Sequence, residues 1–202
     1  MYQAYSLPYS YDALEPYIDP KTLAIHYEKF YLKYLGELNA LVRENPSLSK
    51  YSKIELINHL EEIPMQIRSN AYVLLGGVLN HELYFSNLNP KGNRTPKGKL
   101  KEAIDKKYGS FDNFKKEWIS TAQNLFGSGY TFLVVDKSKN LLIINMSNED
   151  SPYYYGFTPI MAMDSWEHAY YLEYQSNRDE YIKNFFNLID FDVVEKNYLN
   201  AI

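Results

Sequence analysis

The sequence contains no cysteine among its 202 residues. This absence excludes disulfide bonds, thiolate nucleophiles and metal sites with sulfur ligands. Nitrogen and oxygen are then the only strong metal ligands that the side chains offer. Any transition-metal site in this chain must therefore be built from histidine and carboxylate side chains.

The sequence also lacks a strong charge of one sign and a long hydrophobic run. The formal net charge is -4, and acidic and basic residues are interspersed, which argues against nucleic acid as a partner. No stretch approaches the roughly 18 apolar residues of a membrane-spanning helix. The first residues, MYQAYSLP, lack the basic and apolar segments of a secretory signal. We therefore expect a soluble, cytoplasmic protein that binds neither membranes nor nucleic acid.

Apolar and aromatic side chains are abundant. Hydrophobic residues make up 46% of the chain and charged residues 23%, a balance that supports a folded core. The 21 tyrosines outnumber the 9 glycines, so aromatic surfaces are available for packing or for a subunit interface. Composition does not choose between these two uses.

The first 90 residues carry helical patterns. Asp19 and Pro20 provide an N-cap and a first-turn proline for a long helix, and Ser52-Lys-Ile-Glu has the capping-box spacing of a short one. A third segment has apolar residues at helical spacing. These helices are predicted over about 20–42, from 52 onward and over about 67–88. The two long helices predict an antiparallel hairpin as the N-terminal domain, residues 1–90.

The remaining residues, 91–202, are predicted to form a C-terminal domain that mixes helices with strands. A polar stretch rich in proline and glycine, residues 89–98, is the best candidate for a linker. Beyond it the patterns predict helices over 97–108 and 111–125, strands over 130–136, 141–145 and 159–163, and a helical tail over 166–186. The fold class is then α+β, a helical hairpin followed by an α/β domain with a three-stranded antiparallel sheet.

A transition-metal site in this chain would need histidine, and the chain has only four, at 26, 59, 81 and 168. A single histidine on a helix is more often packed in a core than bound to a metal, so its surroundings decide. His59 lies in the short helix among polar residues and is expected at the surface. His26 shares one side of the first long helix with Phe30 and Tyr34, so that an imidazole and a phenol can share a pocket.

The other two histidines lie beside features that indicate a site. His81 follows Gly76 and Gly77, each of which costs about 1 kcal/mol relative to alanine inside a helix and so suggests a close backbone approach. Asp164 and His168 lie at the junction between a predicted strand and the last helix. A carboxylate and an imidazole at this spacing can converge on one ion, although spacing alone does not establish a ligand.

Four segments resemble one known family. MDSWEHAYYLEY at 163–174 closely resembles the DxWEHAYYLxY signature of the iron/manganese superoxide dismutases. Three further stretches agree with that family in order: LPYSYDALEP at 7–16, GGVLNH at 76–81 and LFGSGY at 125–130. These segments are distributed from residue 7 to residue 174, so the resemblance extends along essentially the whole chain. The resemblance implies a helical-hairpin domain, an α/β domain with a three-stranded antiparallel sheet, and a metal between them.

The resemblance also implies a cofactor and a reaction. It implies one manganese or iron ion per subunit, and an enzyme that converts superoxide to oxygen and hydrogen peroxide by alternate reduction and oxidation of that ion. The positions that match the family's ligands are His26, His81, Asp164 and His168. Three imidazoles and a carboxylate suit iron or manganese, although ligand type alone would also admit zinc.

Further matches concern the substrate and a second subunit. Tyr34 matches the family's tyrosine near the substrate channel. Lys29 and Arg178 match basic residues that attract or orient the anion, for which ordinary solvated charge is the alternative interpretation. Glu167 and Tyr171 match residues that reach into the partner subunit. The resemblance thus implies a homodimer, and a tetramer remains open.

Around the metal, one departure removes a hydrogen-bonded route. Phe30 stands where the family usually has a histidine that links the tyrosine network across the dimer, and Tyr27 or Tyr31 is the available substitute. Trp166, within the signature, is expected beside the ligands.

The second departure touches the chemistry. Glu149 occupies the place where manganese-type members carry a glutamine that hydrogen-bonds the metal-bound solvent, while Gly77 matches their glycine. An ionised Glu149 only accepts hydrogen bonds, whereas a protonated one can donate as glutamine does. We expect Glu149 and Tyr34 to be the catalytic side chains next to the ligands.

Two alternatives stay open at this point. Phe30 and Glu149 would also suit a metal-stabilised structural or interaction protein that has kept the ligands and lost efficient turnover. A zinc hydrolase with the same four ligands is less favoured, because nothing in the sequence indicates a substrate cleft.

Overall fold

The first long helix begins where the sequence places its cap. In the computed structural model, which describes the whole chain, residues 1–202, the Asp19 side chain accepts a hydrogen bond from Thr22 N, and Pro20 opens the helix. The helix continues without a break through α1 (Pro20–Ile25), a π-helical turn (His26–Tyr31) and α2 (Leu32–Glu44). In the π turn, the N–H of Leu32 bonds to the carbonyl of Tyr27, five residues earlier.

The second long helix packs against the first. The short helix α3 (Lys53–Asn58) carries the predicted capping box, formed by Ser52 and Glu55, and α4 (Met65–Asn87) follows. Almost every residue of α4 from Leu74 to Phe85 is buried, because α2 covers one side of it and the C-terminal half covers another. The predicted helical hairpin is confirmed.

The C-terminal half contains the predicted sheet. Two helices precede it and three close the chain: α5 (Gly98–Tyr108), α6 (Phe111–Gln123), α7 (Glu167–Tyr174), α8 (Arg178–Asn184) and α9 (Phe191–Ala201). The strands are β1 (Gly129–Val135), β2 (Leu141–Ser147) and β3 (Thr158–Asp164), all antiparallel in the order β2-β1-β3. Tyr130 pairs with Asp164, so the start of β1 lies beside the end of β3.

The edge strand β3 is covered by side chains of helices α4 and α9. The N–H of Ala162 donates to Asn87 Oδ1 at 3.0 Å, and Asn197 Nδ2 donates to the carbonyl of Ile160 at 3.0 Å. Covered edges cannot pair with another chain. Because Asn87 ends α4, this contact also fixes the hairpin against the sheet.

Two features of the chain's last third differ from the prediction. The helical tail predicted over 166–186 is two helices, α7 and α8, separated where Gln175 adopts a positive φ of 52°. Helix α9 was not predicted, although Asp190 caps its first turn and Val194 and Tyr198 are buried one turn apart. The sequence signals, a cap and apolar residues at helical spacing, are therefore present there.

The stretch predicted as a linker is fixed in place. Asp190 accepts hydrogen bonds from Asn89 Nδ2 and Asn93 N, and Arg94 donates to the carbonyl of Ile189 at 2.8 Å. The division near residue 90 remains a prediction, but the segment itself is tied to the start of α9. No helix is both long and apolar enough to cross a membrane.

Candidate metal centre

Two of the candidate ligands come from the helical hairpin. His26 begins the π turn of the first helix and is 1% exposed. His81 lies on α4, and its Nδ1 is 2.6 Å from the carbonyl of Gly77. Since that carbonyl can only accept, Nδ1 carries the proton, and the lone pair of His81 is on Nε2.

The other two come from the junction of β3 and α7. Asp164 ends the strand, and its Oδ1 accepts a hydrogen bond of 2.8 Å from the N–H of Trp166. Its backbone carbonyl accepts a second one from the Tyr181 hydroxyl at 2.7 Å. His168 follows in the first turn of α7. These contacts orient Asp164 so that Oδ2 faces the histidines.

The four side chains meet at one point. Asp164 Oδ2 is 3.0 Å from His26 Nε2, 3.4 Å from His168 Nε2 and 3.7 Å from His81 Nε2. The four ligand atoms all lie within 4.8 Å of one another. His59, the remaining histidine, is at the surface beside Glu61.

Burial and mutual contact set the charges of this cluster. Burial, followed by repulsion from the neighbouring imidazoles, lowers the pKa of His26 to about 4 and that of His81 to about 3. Burial alone would raise the pKa of Asp164, but attraction to His168 and His26 outweighs it and lowers that pKa well below its usual range. Neutral imidazoles and an ionised carboxylate are the forms that bind metal ions.

The cluster fits a metal ion. The Nε2 atoms of His81 and His168 are buried and have no hydrogen-bond partner, which is costly unless something else accepts their lone pairs. Three imidazole nitrogens and one carboxylate oxygen are a donor set suited to iron or manganese. An ion at the common point would satisfy both nitrogens and neutralise the Asp164 charge.

Aromatic rings surround the histidines. Phe30 stacks on His168 with ring centroids 4.0 Å apart, and Trp166 lies on the same imidazole at 5.7 Å. The ring centroids of Tyr34 and His81 are 5.7 Å apart. His26, Phe30 and Tyr34 thus all reach the cluster from one helix. The rings limit solvent access to the ligands.

Glu149 lies beside the cluster on the loop after β2. Only 4% of it is exposed; its Oε1 accepts a hydrogen bond of 3.1 Å from the Tyr34 hydroxyl, and its Oε2 has no partner. Burial, helped by repulsion from Asp164, raises the pKa of Glu149 to about 8. Burial and the Glu149 charge also raise the pKa of Tyr34.

Both glycines of α4 allow a close approach. A Cβ on Gly76 would lie 1.9 Å from the backbone oxygen of Glu149, and one on Gly77 would lie 2.8 Å from the ring of Tyr34. Backbone atoms cannot give way as a flexible side chain can. Gly76 therefore lets the Glu149 loop rest on α4, and Gly77 makes room for the Tyr34 ring.

Neither tyrosine proposed to replace the missing histidine is hydrogen-bonded to Tyr34. The Tyr27 hydroxyl donates to the carbonyl of Tyr5, and the Tyr31 hydroxyl donates to Glu82 Oε1 at 2.9 Å. Both hydroxyls are thus engaged by the N-terminal segment and by α4. Within one chain, Tyr34 bonds to Glu149 instead. The substitution of Tyr27 or Tyr31 in a network across a dimer stays a prediction.

The remaining predicted residues lie around the outer edge, or rim, of the site. Lys29 is exposed beside Tyr34. Arg178 donates to the backbone carbonyls of Gly127 and Ala122. The exposed Glu167 accepts a hydrogen bond of 2.6 Å from the Ser128 hydroxyl, and Tyr171 is 48% exposed.

One residue of the site escaped the sequence reasoning. Asn80 is 1% exposed, and its Nδ2 lies 3.4 Å from the carbonyl of Glu149 and 3.0 Å from that of Asp150. It holds the loop that presents Glu149. The available signal was a polar side chain that directly follows the apolar run VLLGGVL at 73–79 and precedes His81. A buried amide at such a position needs hydrogen-bond partners.

Comparison with known proteins agrees with this geometry. The family model for the alpha-hairpin domain of iron/manganese superoxide dismutases matches residues 1–89, and the model for their C-terminal domain matches residues 96–197. The chain belongs to the iron/manganese superoxide dismutase family. It is 43% identical over 197 residues to a protein of Listeria monocytogenes named superoxide dismutase (Mn), covering 98% of this chain and 97% of the relative. A protein of Pseudomonas putida with the same name is 41% identical over the same shares.

Family membership establishes the activity. The protein is an oxidoreductase that converts superoxide to oxygen and hydrogen peroxide with a bound iron or manganese ion. The predicted fold class, enzyme class and cofactor are confirmed. The alternative of a metal-stabilised structural protein has no support in the comparisons.

Proposed function

We propose that His26, His81, Asp164 and His168 hold the ion and that it is manganese. The convergence of the four ligand atoms within 4.8 Å supports the assignment of the ligands. The relatives named as manganese enzymes and the glycine at position 77 favour manganese as the metal. When bound, the ion exchanges electrons with superoxide by alternating between its +3 and +2 states.

The protein's own side chains would supply protons and exclude water. We assign Tyr34 and Glu149 as the catalytic pair, because the hydroxyl and the carboxyl share a hydrogen bond beside the ligands. Hydrogen peroxide needs two protons that superoxide does not carry, and this pair can hold one at the Tyr34 oxygen. The rings of Phe30 and Trp166 keep bulk water from His168. Lys29 contributes positive charge at the rim.

Reconstitution tests the assignment. Metal-free protein loaded separately with manganese and with iron should dismutate superoxide faster than the free ions, and the manganese form should be active. The ligand variant His81→Gln should lose bound metal, whereas its matched control at the surface, His59→Gln, should retain it. Full metal content in His81→Gln would contradict the ligand assignment.

Elemental analysis of protein from its native host tests the metal itself. Manganese in about one equivalent per chain would support the proposal. Iron alone, together with an inactive manganese form, would overturn it. Stoichiometric zinc would contradict both metals.

We also propose that the active form is a homodimer. Phe126, on the loop between α6 and β1, is 97% exposed. The exposed Glu167 is hydrogen-bonded to Ser128 of the same loop, and the exposed Tyr171 lies one turn further along α7. An apolar ring in open solvent, on a loop that also binds a carboxylate, suits an interface with apolar and polar contacts. Sedimentation equilibrium should give twice the chain mass for the parent, and Phe126→Ser should weaken association. A tetramer would give four times the chain mass.

The cytoplasmic location stays a prediction, which cell fractionation would check.

A further inference from the structure

A cavity of about 340 Å³ opens on the first long helix beside the metal centre. It is lined by residues from the end of the π turn and the start of α2: Lys29, Phe30, Lys33, Tyr34 and Glu37. Two of these side chains also contact the candidate ligands, since the ring of Phe30 stacks on His168 and that of Tyr34 lies 5.7 Å from His81. The cavity and the cluster therefore share these two rings.

Three charged side chains line the same cavity. Lys29, Lys33 and Glu37 follow one another at four-residue spacing, so they share one side of the helix. Lys33 is 72% exposed and Glu37 52% exposed, and Lys33 Nζ is 3.9 Å from Glu37 Oε1. That distance is too long for a hydrogen bond, and exposed pairs of this kind are weak. The Lys33 ammonium is therefore not held by Glu37, although the nearby carboxylate offsets part of its charge.

Arg178 is placed differently from the two lysines. Its guanidinium donates to two backbone carbonyls of the segment before β1, and it does not line this cavity. The positive charges at the cavity are thus those of Lys29 and Lys33.

We propose that Lys33 is a second substrate-steering residue, which draws superoxide into this cavity together with Lys29, and that Glu37 opposes it. The inference rests on the proposed catalytic pair Tyr34 and Glu149, because superoxide that reacts beside this pair would arrive through the cavity that Tyr34 lines, which is the route past Tyr34. Superoxide carries one negative charge, and charges at the mouth of a cleft raise the local concentration of an oppositely charged substrate. The effect acts on the rate of encounter and does not require contact with the ion.

The expected size follows from Coulomb's law. In water, a unit charge at about 10 Å changes the local concentration of a monovalent ion roughly two-fold. Lys33→Gln should therefore lower kcat/KM about two-fold at low ionic strength, and Lys33→Glu about four-fold. Glu37→Gln should raise it by up to about two-fold. All three differences should shrink as salt is raised, because the Debye length falls from about 30 Å at 0.01 M to about 10 Å at 0.1 M.

The matched control is Lys106→Gln, which changes the net charge by the same amount. Lys106 is exposed and lies with Lys139 beyond the Val135 end of β1, whereas the metal centre lies at the Tyr130 end. Five residues of strand place these ends roughly 17 Å apart. By the same estimate, a charge about 17 Å away changes the local concentration by no more than about 1.5-fold. The control should therefore change kcat/KM less than Lys33→Gln does and depend less on salt.

The test uses metal-loaded protein and two measurements. The first is kcat/KM for superoxide across ionic strength. The second is the dissociation constant of azide, a small monovalent anion, measured by optical titration without turnover; the weakening in Lys33→Gln should again be about two-fold and salt-dependent. Equal metal content and equal thermal unfolding show that each variant is folded.

The possible outcomes distinguish this inference from the proposals on which it rests. If Lys29→Gln slows the enzyme but Lys33→Gln matches Lys106→Gln, the steering role of Lys33 is refuted and the route stands. If neither lysine variant differs from the control while the parent is active, the route past Tyr34 is wrong as well. An inactive loaded parent would instead refute the assignment of the metal centre.

Discussion

Asp164 and Glu149 are both buried carboxyl groups of one site, yet their surroundings act on them in opposite directions. Asp164 has a backbone N–H on one oxygen and three imidazoles around the other, and its pKa is lowered. Glu149 has one phenol on one oxygen and nothing on the other, and burial raises its pKa to about 8. The number and charge of partners, more than depth, decide whether a buried carboxyl ionises.

This difference assigns the two groups to different tasks. A carboxylate that stays ionised at every physiological pH is suited to hold a cation. A carboxyl that retains its proton to near neutral pH is suited to accept or release one during turnover. The predictions below alter one carboxyl group or its partner at a time.

The largest effect is expected from Asp164→Asn. The change leaves the shape of the side chain but removes the charge on which the three histidines converge. Metal affinity should fall by more than the roughly 10- to 100-fold that loss of a ligand's supporting hydrogen bond costs. Elemental analysis after dialysis measures the loss, with the exposed Asp179→Asn as the control. Retention of a full equivalent of metal would remove Asp164 from the ligand set.

The next effect concerns the stability of the metal-free protein. Because the folded-state pKa of Glu149 is about 8 against an ordinary 4.5, its contribution to stability is complete below pH 4.5 and is lost as the pH rises through about 8. The amide that replaces this carboxyl in the variant Glu149→Gln cannot ionise. Relative to the parent, that variant should gain stability across this window, by up to roughly 5 kcal/mol.

Urea unfolding of both metal-free proteins from pH 5 to pH 9 measures the gain. The exposed Glu102→Gln on α5 is the matched control, and its difference from the parent should not change over that range. A Glu149→Gln difference that is equally flat would show that Glu149 is ionised in the folded protein throughout.

Glu149→Gln should also change the reduction potential of the loaded enzyme. At a pH where Glu149 is ionised, the substitution removes a negative charge that favours the +3 ion, so the potential should rise. Unit charges about 6 Å apart at an effective dielectric constant of about 20 interact by roughly 3 kcal/mol, on the order of 100 mV. Redox titration of both proteins with the same metal measures it. A potential unchanged within error would place Glu149 too far from the ion to influence it.

The smallest effect is expected from Tyr34→Phe. Phenylalanine keeps the ring but removes the hydrogen bond that Glu149 Oε1 accepts from the hydroxyl, worth about 1 kcal/mol. The metal-free variant should be less stable than the parent by about that amount at pH 5, and by roughly 2 kcal/mol at pH 9, where Glu149 is ionised and the hydrogen bond is charge-assisted. Urea unfolding at the two values tests this. Equal loss at both would mean that the hydroxyl serves packing rather than the carboxylate.

The local elements were largely predictable from the sequence. Caps and apolar periodicity located both long helices and the three strands, because these signals depend on neighbours within a few residues. The split of the tail at Gln175 was not predictable, since nothing in the local pattern requires its positive φ. Helix α9 was missed although its cap and its apolar spacing are local signals of the same kind.

For the site, residue types and the resemblance identified the four candidate ligands, while their pattern in the sequence left each uncertain. Histidine and aspartate side chains bind metals by their chemistry, and that is inherent in the sequence. Their convergence depends on contacts between positions as distant as His26 and Asp164. Only the packing of the hairpin against β3 and α7 brings those atoms together.

The sequence by itself determined the absence of sulfur ligands, the helical hairpin, the sheet and the family signature, because each is written in neighbouring residues. The tertiary structure decided which tyrosine Glu149 bonds, why Tyr27 and Tyr31 are engaged elsewhere, and how far burial shifts each carboxyl. Those properties depend on desolvation and on partners distant in sequence, and both arise only when the chain is packed.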